Sequence, residues 1–261
     1  MKRILSIFAL FLFLAIPLMA DAKTNDYVDN EGYKLVSTNE KYFKTTNVIK
    51  KSNIEMFNNS LNENDIILSY TTEVSKEEYD NFSDKEEMQT YGSSNVVQTE
   101  YKKLTVSILE NGSRYKYTAV LDWKKMPAVR SYDIIAIGFY QSVKVTNMQN
   151  ETYYCLTNGN CTSETSNKPK ITSVGAGTVF KLPSSTSVKS LKNTLTLYID
   201  KNVNTTIIEQ MAVADYSHAK KTISLANAQN YSVDLAGITL NGITSYYDTT
   251  PSVTTNINCN W

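Results

Sequence analysis

Histidine and cysteine are scarce in this sequence, which has one histidine, His218, and three cysteines among 261 residues. The usual zinc sites need clusters of these two residue types at set spacings, so we expect no metal site. A Ser-His-Asp or Cys-His catalytic arrangement would have to use His218, and the stretch Asp215-Tyr-Ser-His-Ala-Lys-Lys221 contains no nucleophile elbow. We therefore interpret His218 as an ordinary surface or hydrogen-bonded residue and expect no catalytic residues of these kinds.

Glycine and proline are also scarce, and the basic and acidic residues are equal in number. Gly175-Ala-Gly177 lacks the third glycine and the strand–helix context of a dinucleotide-binding loop, so we interpret it as a turn and expect no cofactor. Five prolines and nine glycines are too few for a disordered or fibrous protein. The 26 basic and 26 acidic residues balance, which gives no general attraction to nucleic acid or to an anionic membrane.

The N-terminus has the layout of a secretory signal peptide over residues 1–22. Lys2 and Arg3 precede an apolar run over residues 4–16, and Ala20-Asp-Ala22 offers small residues for cleavage after Ala22. The apolar run is short for a membrane span, and no other stretch is long and apolar enough to be one. We therefore expect no transmembrane segment in the mature chain and predict a secreted, extracellular or cell-surface protein.

Threonine, serine, asparagine, valine, isoleucine and 18 tyrosines dominate the rest of the chain, a composition that favours strands. Many short strands with turn signals predict an antiparallel β-sandwich or jelly-roll-like domain over residues 96–261. Residues 23–95 form an N-terminal mixed region that can belong to the same domain. In it, the run 65–74 predicts a strand, and two capping boxes, Ser75–Glu78 and Ser83–Glu86, predict short helices over 76–90.

The pair Asn111-Gly112 is a strong hairpin signal between two alternating runs. With these two residues as the turn, Ile108 pairs with Tyr115 and Val106 with Tyr117, which places the apolar side chains on one face. Further along the chain, the nearly continuous apolar run Ile134–Phe139 predicts a central strand covered on both sides.

Several later segments carry weaker signals. Residues 178–182, 194–200 and 221–226 are strand-like, and a helical turn is possible near 206–214. A second turn pair, Asn241-Gly242, predicts a hairpin that brings Leu240 against Ile243 and Ala236 against Tyr247.

Cys155, Cys161 and Cys259 predict one disulfide and one remaining thiol in an exported chain. A two-residue turn at Asn158-Gly159 would turn Cys155 and Cys161 to opposite faces, whereas a five-residue loop over 156–160 would place them opposite each other. We favour the Cys155–Cys161 pair. The alternative is a bridge from either of them to Cys259, which would close a loop of about 100 residues.

The segment between the predicted hairpin and the central strand combines Trp123, Lys124, Lys125 and Arg130 with Pro127. Trp123 continues the apolar face of the hairpin, and Pro127 has no N–H to give a strand ladder, so we interpret the segment mainly as a connection. The alternative is a small anionic-ligand patch made of Trp123, Lys124, Lys125 and Arg130. Asp122 and Asp133 are nearby acids that could pair with these cations instead.

Trp123-Lys-Lys-Met-Pro-Ala-Val-Arg-Ser-Tyr-Asp133 resembles a segment of uncharacterised secreted proteins of Gram-positive bacteria. Residues 216–232, Tyr-Ser-His-Ala-Lys-Lys-Thr-Ile-Ser-Leu-Ala-Asn-Ala-Gln-Asn-Tyr-Ser, followed by Tyr246-Tyr-Asp248, are similar to a downstream segment of the same group. The resemblance extends over residues 97–250. It implies a β-rich fold, secretion and a Gram-positive source, and it carries no activity or site residue.

These observations favour a secreted, non-catalytic β-sandwich protein that serves as a cell-envelope or extracellular binding or structural module. Its expected partner is a cell-wall polymer, a glycan or a secreted protein. The first alternative is a secreted hydrolase that uses a glycosidase-like carboxylate pair, since such pairs are defined by distance in space and not by sequence. The second is an antagonistic or pore-forming protein, since alternating strands can form an amphipathic hairpin.

Overall fold

The computed structural model describes residues 27–50, 66–82, 89–91, 95–166 and 168–261. The predicted signal peptide and the second capping box, Ser83–Glu86, lie outside the described residues. In chain order the strands are β1 (Lys34–Lys50), β2 (Ile66–Val74), β3 (Gln89–Tyr91), β4 (Asn95–Asn111), β5 (Arg114–Lys125), β6 (Tyr132–Phe139), β7 (Val143–Leu156), β8 (Cys161–Thr165), β9 (Pro169–Ile171), β10 (Gly175–Lys181), β11 (Val188–Lys201), β12 (Glu209–Ala219), β13 (Tyr231–Asp234), β14 (Gly237–Leu240) and β15 (Tyr247–Asn258). The helices are α1 (Lys76–Asn81) and α2 (Leu225–Ala228), and a 3-10 turn covers Thr244–Tyr246.

Two antiparallel sheets pack against each other, which confirms the predicted mainly β sandwich. The eight-stranded sheet has the order β2-β1-β4-β5-β11-β7-β8, with β3 paired to β4. The five-stranded sheet has the order β15-β12-β6-β10-β9, and β13 and β14 form a separate hairpin. Strands β1 and β2 of the N-terminal region are therefore hydrogen-bonded into the same sheet as β4 and β5.

The hairpin of β4 and β5 is present, but its predicted register is wrong by two residues. Ile108 pairs with Tyr117, and Asn111 pairs with Arg114, so the turn consists of Gly112 and Ser113. Gly112 has a φ of +61°, which a residue with a side chain rarely adopts, and this places glycine at the first turn position. Because the shift is an even number of residues, the predicted faces of both strands are unchanged.

The apolar core between the sheets explains the alternation of β4 and β5. Inward-facing apolar side chains from both sheets are fully buried, and each contributes about 1.5–3 kcal/mol relative to an exposed position. These side chains include Leu104, Val106, Ile108, Leu121, Leu195 and Leu197 from the larger sheet and Ile135, Ile137, Phe139 and Val253 from the smaller.

Strand β6 is a central strand covered on both sides, as predicted. Its odd-numbered apolar residues face the larger sheet, while Ile134 and Ala136 pack with Tyr231 and Val233 of the β13–β14 hairpin. A second layer therefore lies on the outer face of the five-stranded sheet, which explains why the run Ile134–Phe139 is nearly continuously apolar.

Three weaker predictions of secondary structure are wrong. The segment predicted as a strand over 221–226 leads instead into helix α2, whose N-cap Ser224 accepts a hydrogen bond from the Asn227 N–H. Residues near Asn241-Gly242 do not form the predicted hairpin, because Leu240 pairs with Tyr231 and Tyr247 pairs with Ala219. The predicted helical turn near 206–214 is largely the first half of β12.

Candidate functional site

Cys155 and Cys161 form the favoured disulfide, with their Cα atoms 4.0 Å apart as directly opposed residues of β7 and β8. The loop between them has the five residues that an opposed pair requires. Cys259 carries the remaining thiol and is half-buried. The alternative bridge to Cys259 is therefore wrong, because the first two cysteines already face each other across the hairpin.

Trp123 and Lys124 of the predicted anionic-ligand patch point to opposite faces of the larger sheet. The Trp123 side chain is fully buried in the core between the sheets. Lys124 lies on the other face, where its Nζ donates to the carbonyl oxygens of Tyr79 and Asp80 at the C-terminal end of α1. A cation suits a helix C-terminus, where the last carbonyl groups have no partner within the helix.

Lys125 lies over the Phe82 ring, with its Nζ 5.4 Å from the ring centroid. Arg130 Nε donates to the Pro127 carbonyl oxygen at 2.7 Å, and its Nη1 donates to the carbonyl oxygens of Pro183 and Ser185 at 3.1 and 3.0 Å. Neither Asp122 nor Asp133 is the partner that the structure records for Arg130. The structure does not bring the four predicted residues onto one surface, and anion binding by the cations stays a prediction.

A different group of residues comes together between the sheets, at the end of the core next to Trp123. It joins charged side chains of β4 with polar side chains of β6, β12 and β15. We call it the inter-sheet polar cluster; its members are Glu100, Lys102, Asp133, Tyr216, His218 and Asp248. The first five are almost completely buried, and the Asp248 side chain is 14% exposed.

Asp133 is the central hydrogen-bond acceptor among the cluster residues of the smaller sheet. His218 Nδ1 lies 3.0 Å from Asp133 Oδ2, and the Tyr216 hydroxyl donates to the same oxygen. The Ala219 N–H donates to Asp133 Oδ1 at 2.9 Å. A carboxylate on Nδ1 fixes the imidazole with a proton on that nitrogen, the relationship that orients histidine in many active sites.

Lys102 is the fully buried cation of the larger sheet. Its Nζ donates to Thr45 Oγ1 at 3.0 Å and lies 3.9 Å from Asp248 Oδ2 of the smaller sheet. The rings of Trp123 and Tyr216 lie beside it, with centroids 5.0 and 5.6 Å from Nζ. Aromatic faces can stabilise a cation at such distances, but they also exclude water from it.

Glu100 is two residues before Lys102 on β4 and therefore faces the same side of the sheet. Its Oε1 accepts a hydrogen bond from Asn47 Nδ2 at 2.6 Å, and Asn47 Oδ1 in turn accepts from the Ser69 hydroxyl at 2.7 Å. Within the part of the chain that the structure describes, no hydrogen-bond partner reaches Glu100 Oε2. An unpaired buried oxygen disfavours the ionised carboxylate.

Burial sets the protonation states of the cluster. Burial raises the pKa of Glu100 above its usual range, against the opposing effect of the His218 and Lys102 charges. It lowers the pKa of Lys102, and the carboxyl of Asp248 offsets only part of this change. For His218, burial acts to lower the pKa, but the neighbouring Asp133 carboxylate outweighs it and the pKa is raised. The cluster therefore favours a neutral Glu100 beside a protonated His218.

A histidine–carboxylate pair, a lysine and a neutral carboxyl are groups that can move protons, but here both sheets cover them. His218 is 3% exposed and Asp133 is 0% exposed, so a substrate in solution does not reach either side chain in this structure. No group of three or more potential metal ligands occurs among residues 27–50, 66–82, 89–91, 95–166 and 168–261. The arrangement suits chemistry within the core itself better than turnover of a substrate.

The sequence analysis did not predict this cluster, although the strand pattern indicates its two members on β4. The hairpin pattern puts Leu104 and Val106 on the buried face, and the same alternation puts Lys102 and Glu100 there. A lysine and a glutamate in the buried register of a strand indicate a paired polar site. The partners on β6, β12 and β15 depend on how the two sheets pack, which the pattern does not give.

No protein-family model matches the chain, and no curated protein matches it. Among solved structures it is similar to the N-terminal domain of the Streptococcus gordonii adhesin Sgo0707, at 12% sequence identity and a TM-score of 0.31. The match covers 84% of this chain and 55% of that one. So low a TM-score carries no argument about function. In the described part of the chain, no helix has the length and apolar character of a membrane span.

Proposed function

We propose that this chain is a secreted, non-catalytic β-sandwich protein that acts as a binding or structural module at the cell envelope. The observation that carries the proposal is the burial of the ionisable cluster. Asp133, His218, Lys102 and Glu100 are the residues best suited to acid–base chemistry among those described, and each is at most 3% exposed. A buried cluster of this kind supports a structural role for these residues rather than catalysis on an external substrate.

The disulfide supports the extracellular part of the proposal. Cys155 and Cys161 close an exposed hairpin, and a disulfide of this kind persists in an oxidising compartment such as the outside of the cell. It is consistent with the signal-peptide pattern of residues 1–22.

The same hairpin is the surface that we assign to ligand binding. All five residues of β8 are exposed, and Tyr153 of β7 is 47% exposed. Tyr153 pairs with Ser163 on one side and with Lys192 on the other, and both of these are also exposed. An exposed tyrosine ring between a hydroxyl and an ammonium group suits the face and the hydroxyl groups of a sugar, so the proposed ligand class is a cell-wall polymer or other glycan.

Cosedimentation of the purified protein with Gram-positive cell walls, with the isolated wall polymers and with a panel of soluble glycans tests this function. We expect binding that falls at least several-fold in Tyr153→Ala. The matched control is Tyr70→Ala, because Tyr70 is 60% exposed on β2 at the opposite edge of the same sheet. Absence of binding to every wall and glycan preparation would contradict the ligand class, and release of reducing sugar from any of them would contradict the non-catalytic role.

A further inference from the structure

We propose that Lys102 and Asp248 join through an intramolecular amide bond that links the two sheets covalently. The bond forms between the side-chain amine of β4 and the side-chain carboxyl of β15. This inference goes beyond the proposed binding function and does not depend on it.

The geometry brings together the two groups that such a bond needs. Lys102 Nζ lies 3.9 Å from Asp248 Oδ2, across the space between the sheets. Thr71 donates its hydroxyl hydrogen to Asp248 Oδ2, and Thr45 accepts from Lys102 Nζ at 3.0 Å. The two threonine hydroxyls are themselves 2.6 Å apart, so the strand pair β1–β2 holds both reacting groups in place.

The surroundings of Lys102 favour the reactive protonation state of its amine. Only a neutral amine is a nucleophile, and only a neutral carboxylic acid loses its oxygen readily as water. The Lys102 side chain is 1% exposed between the rings of Trp123 and Tyr216, which keep water away from the amine. Burial lowers the pKa of Lys102, in the direction that the reaction requires.

We assign to Glu100 the transfer of a proton from the Lys102 amine to the Asp248 carboxyl. Glu100 lies on the same face of β4 as Lys102, its carboxyl is buried, and burial raises its pKa so that the neutral acid is favoured. Its Oε2 has no close hydrogen-bond partner among the described residues, and the carboxyl lies near enough to Lys102 and Asp248 for their charges to affect its pKa. A neutral carboxyl in a water-poor core can act as both acid and base in one reaction.

The step balances without a co-reactant. The lone pair of Lys102 Nζ forms a bond to Asp248 Cγ, and the amine gives up a proton to the Glu100 carboxyl. Glu100 delivers a proton to one oxygen on Cγ, the bond between Cγ and that oxygen breaks, and water leaves. The products are an amide and one water molecule, and Glu100 returns to its starting state.

Mass spectrometry of the purified full chain after secretion tests the bond. The denatured protein should be lighter than its sequence and disulfide require by one water, about 18 Da, because amide formation expels it. Trypsin should then give one linked product, in which residues 86–103 with an uncleaved Lys102 are joined to residues 222–261. This linked product excludes water loss elsewhere in the chain. A wild-type protein with full mass and separate peptides overturns the proposal.

Four variants locate the chemistry. Lys102→Met and Asp248→Ala should have the full mass, whereas Asp248→Asn should form the same amide with loss of ammonia and give the same linked peptides. Glu100→Gln keeps an oxygen that can accept from Asn47, so its fold should be retained while linkage slows at least tenfold over time after synthesis. Linkage at the wild-type rate in Glu100→Gln overturns the role of Glu100. Failure of glycan binding would leave all of these masses unchanged, so the two proposals fail separately.

Discussion

His218 Nδ1 lies 3.0 Å from Asp133 Oδ2, and the two side chains are buried between the sheets. Asp133 also accepts from the Tyr216 hydroxyl and the Ala219 N–H, so one carboxyl pairs three buried donors. This relationship connects β6 to β12 through side chains as well as through their backbone ladder.

Removal of the Asp133 carboxyl should destabilise the fold strongly. Asp133→Ala leaves His218 and two other buried donors without their acceptor, and we expect a loss of about 3–5 kcal/mol in the free energy of unfolding. Asp133→Asn keeps one acceptor oxygen and should lose less. Urea unfolding followed by circular dichroism measures both values. Asp200→Asn, at an exposed position, is the control and should change stability by less than about 0.5 kcal/mol. Equal stabilities for Asp133→Ala and this control would contradict the assignment.

The pKa of His218 should lie above its ordinary value in the folded protein. The Asp133 carboxylate outweighs the effect of burial and raises this pKa. A raised folded-state pKa gives stability that is complete below the unfolded value of about 6.5 and is lost as the pH rises through the folded value. His218 is the only histidine, so its imidazole proton signals in an NMR titration need no assignment. In Asp133→Asn the pKa should fall, and a wild-type pKa below the unfolded value would refute this prediction.

Asp215 should make the protein less stable as the pH rises from about 4 to 7. Burial raises the pKa of Asp215 to about 7, against the N–H groups of Ile238 and Tyr216 that donate to it. Between the unfolded and folded pKa values the native state holds a proton that the unfolded state has released, so stability falls with pH, by at most about 4 kcal/mol.

Urea unfolding at several pH values checks this effect of Asp215. In Asp215→Asn the pH dependence should be flatter over the same window. The raised pKa values of Glu100 and His218 also lower the stability as the pH rises. Because both groups are present in the two proteins, the difference between the two curves reports the effect of Asp215. Parallel curves for the two proteins would show that Asp215 does not titrate in this range.

The purified protein should show one reactive thiol when it is denatured without reductant, and three after reduction. Cys155 and Cys161 are bonded and Cys259 is not, so a colorimetric thiol assay gives both numbers. Cys259→Ser should show no thiol before reduction. The chain-entropy model gives a stabilisation of about 2 kcal/mol for so short a loop, and Cys155→Ser with Cys161→Ser should lose up to that amount. Two or more thiols in the unreduced wild type would contradict the pairing.

Arg130 should act mainly as a link between loops. Its guanidinium binds the carbonyl oxygens of Pro127, Pro183 and Ser185, so Arg130→Gln should lose about 1–3 kcal/mol of stability. Lys189→Gln, at an exposed position of β11, is the control.

Unfolding with and without added phosphate tests the predicted anion patch. Stabilisation of the wild type by phosphate that is absent in Lys124→Gln would support the patch, and equal stabilisation of the wild type and Lys124→Gln would count against it.

The local parts of the fold could be predicted from the sequence because short-range patterns carry them. Alternation around Gly112 identifies the β4–β5 hairpin, and the apolar run Ile134–Phe139 identifies a strand covered on both faces. The loop length between Cys155 and Cys161 favours their disulfide. The predicted turn, Asn111-Gly112, lies one residue before the observed turn, Gly112-Ser113. The φ of glycine decides the position of the turn, and a pair such as Asn-Gly only favours it.

Of the two wrong predictions after residue 220, one has a local cause and the other concerns a strand whose partner is distant in the chain. Residues 221–226 have a strand-like composition, yet Ser224 caps a helix there because a capping hydroxyl fixes the local backbone. Tyr247 joins Ala219 of β12 rather than Ala236, because the core of the smaller sheet offers a neighbour that a short hairpin does not. Pairing over such distances depends on how the sheets pack and not on turn signals.

By itself, the sequence determined that this chain forms strands, which faces of β4 and β5 are apolar, and where the hairpin disulfide is favoured. These features follow from side-chain periodicity and loop length, which act over a few residues. Only the tertiary structure decided that Lys102 meets Asp248 and that Asp133 meets His218, because each pair joins strands far apart in the chain. Charged residues that the two sheets bury must find partners within the core, and the strand order and the packing of the sheets select those partners.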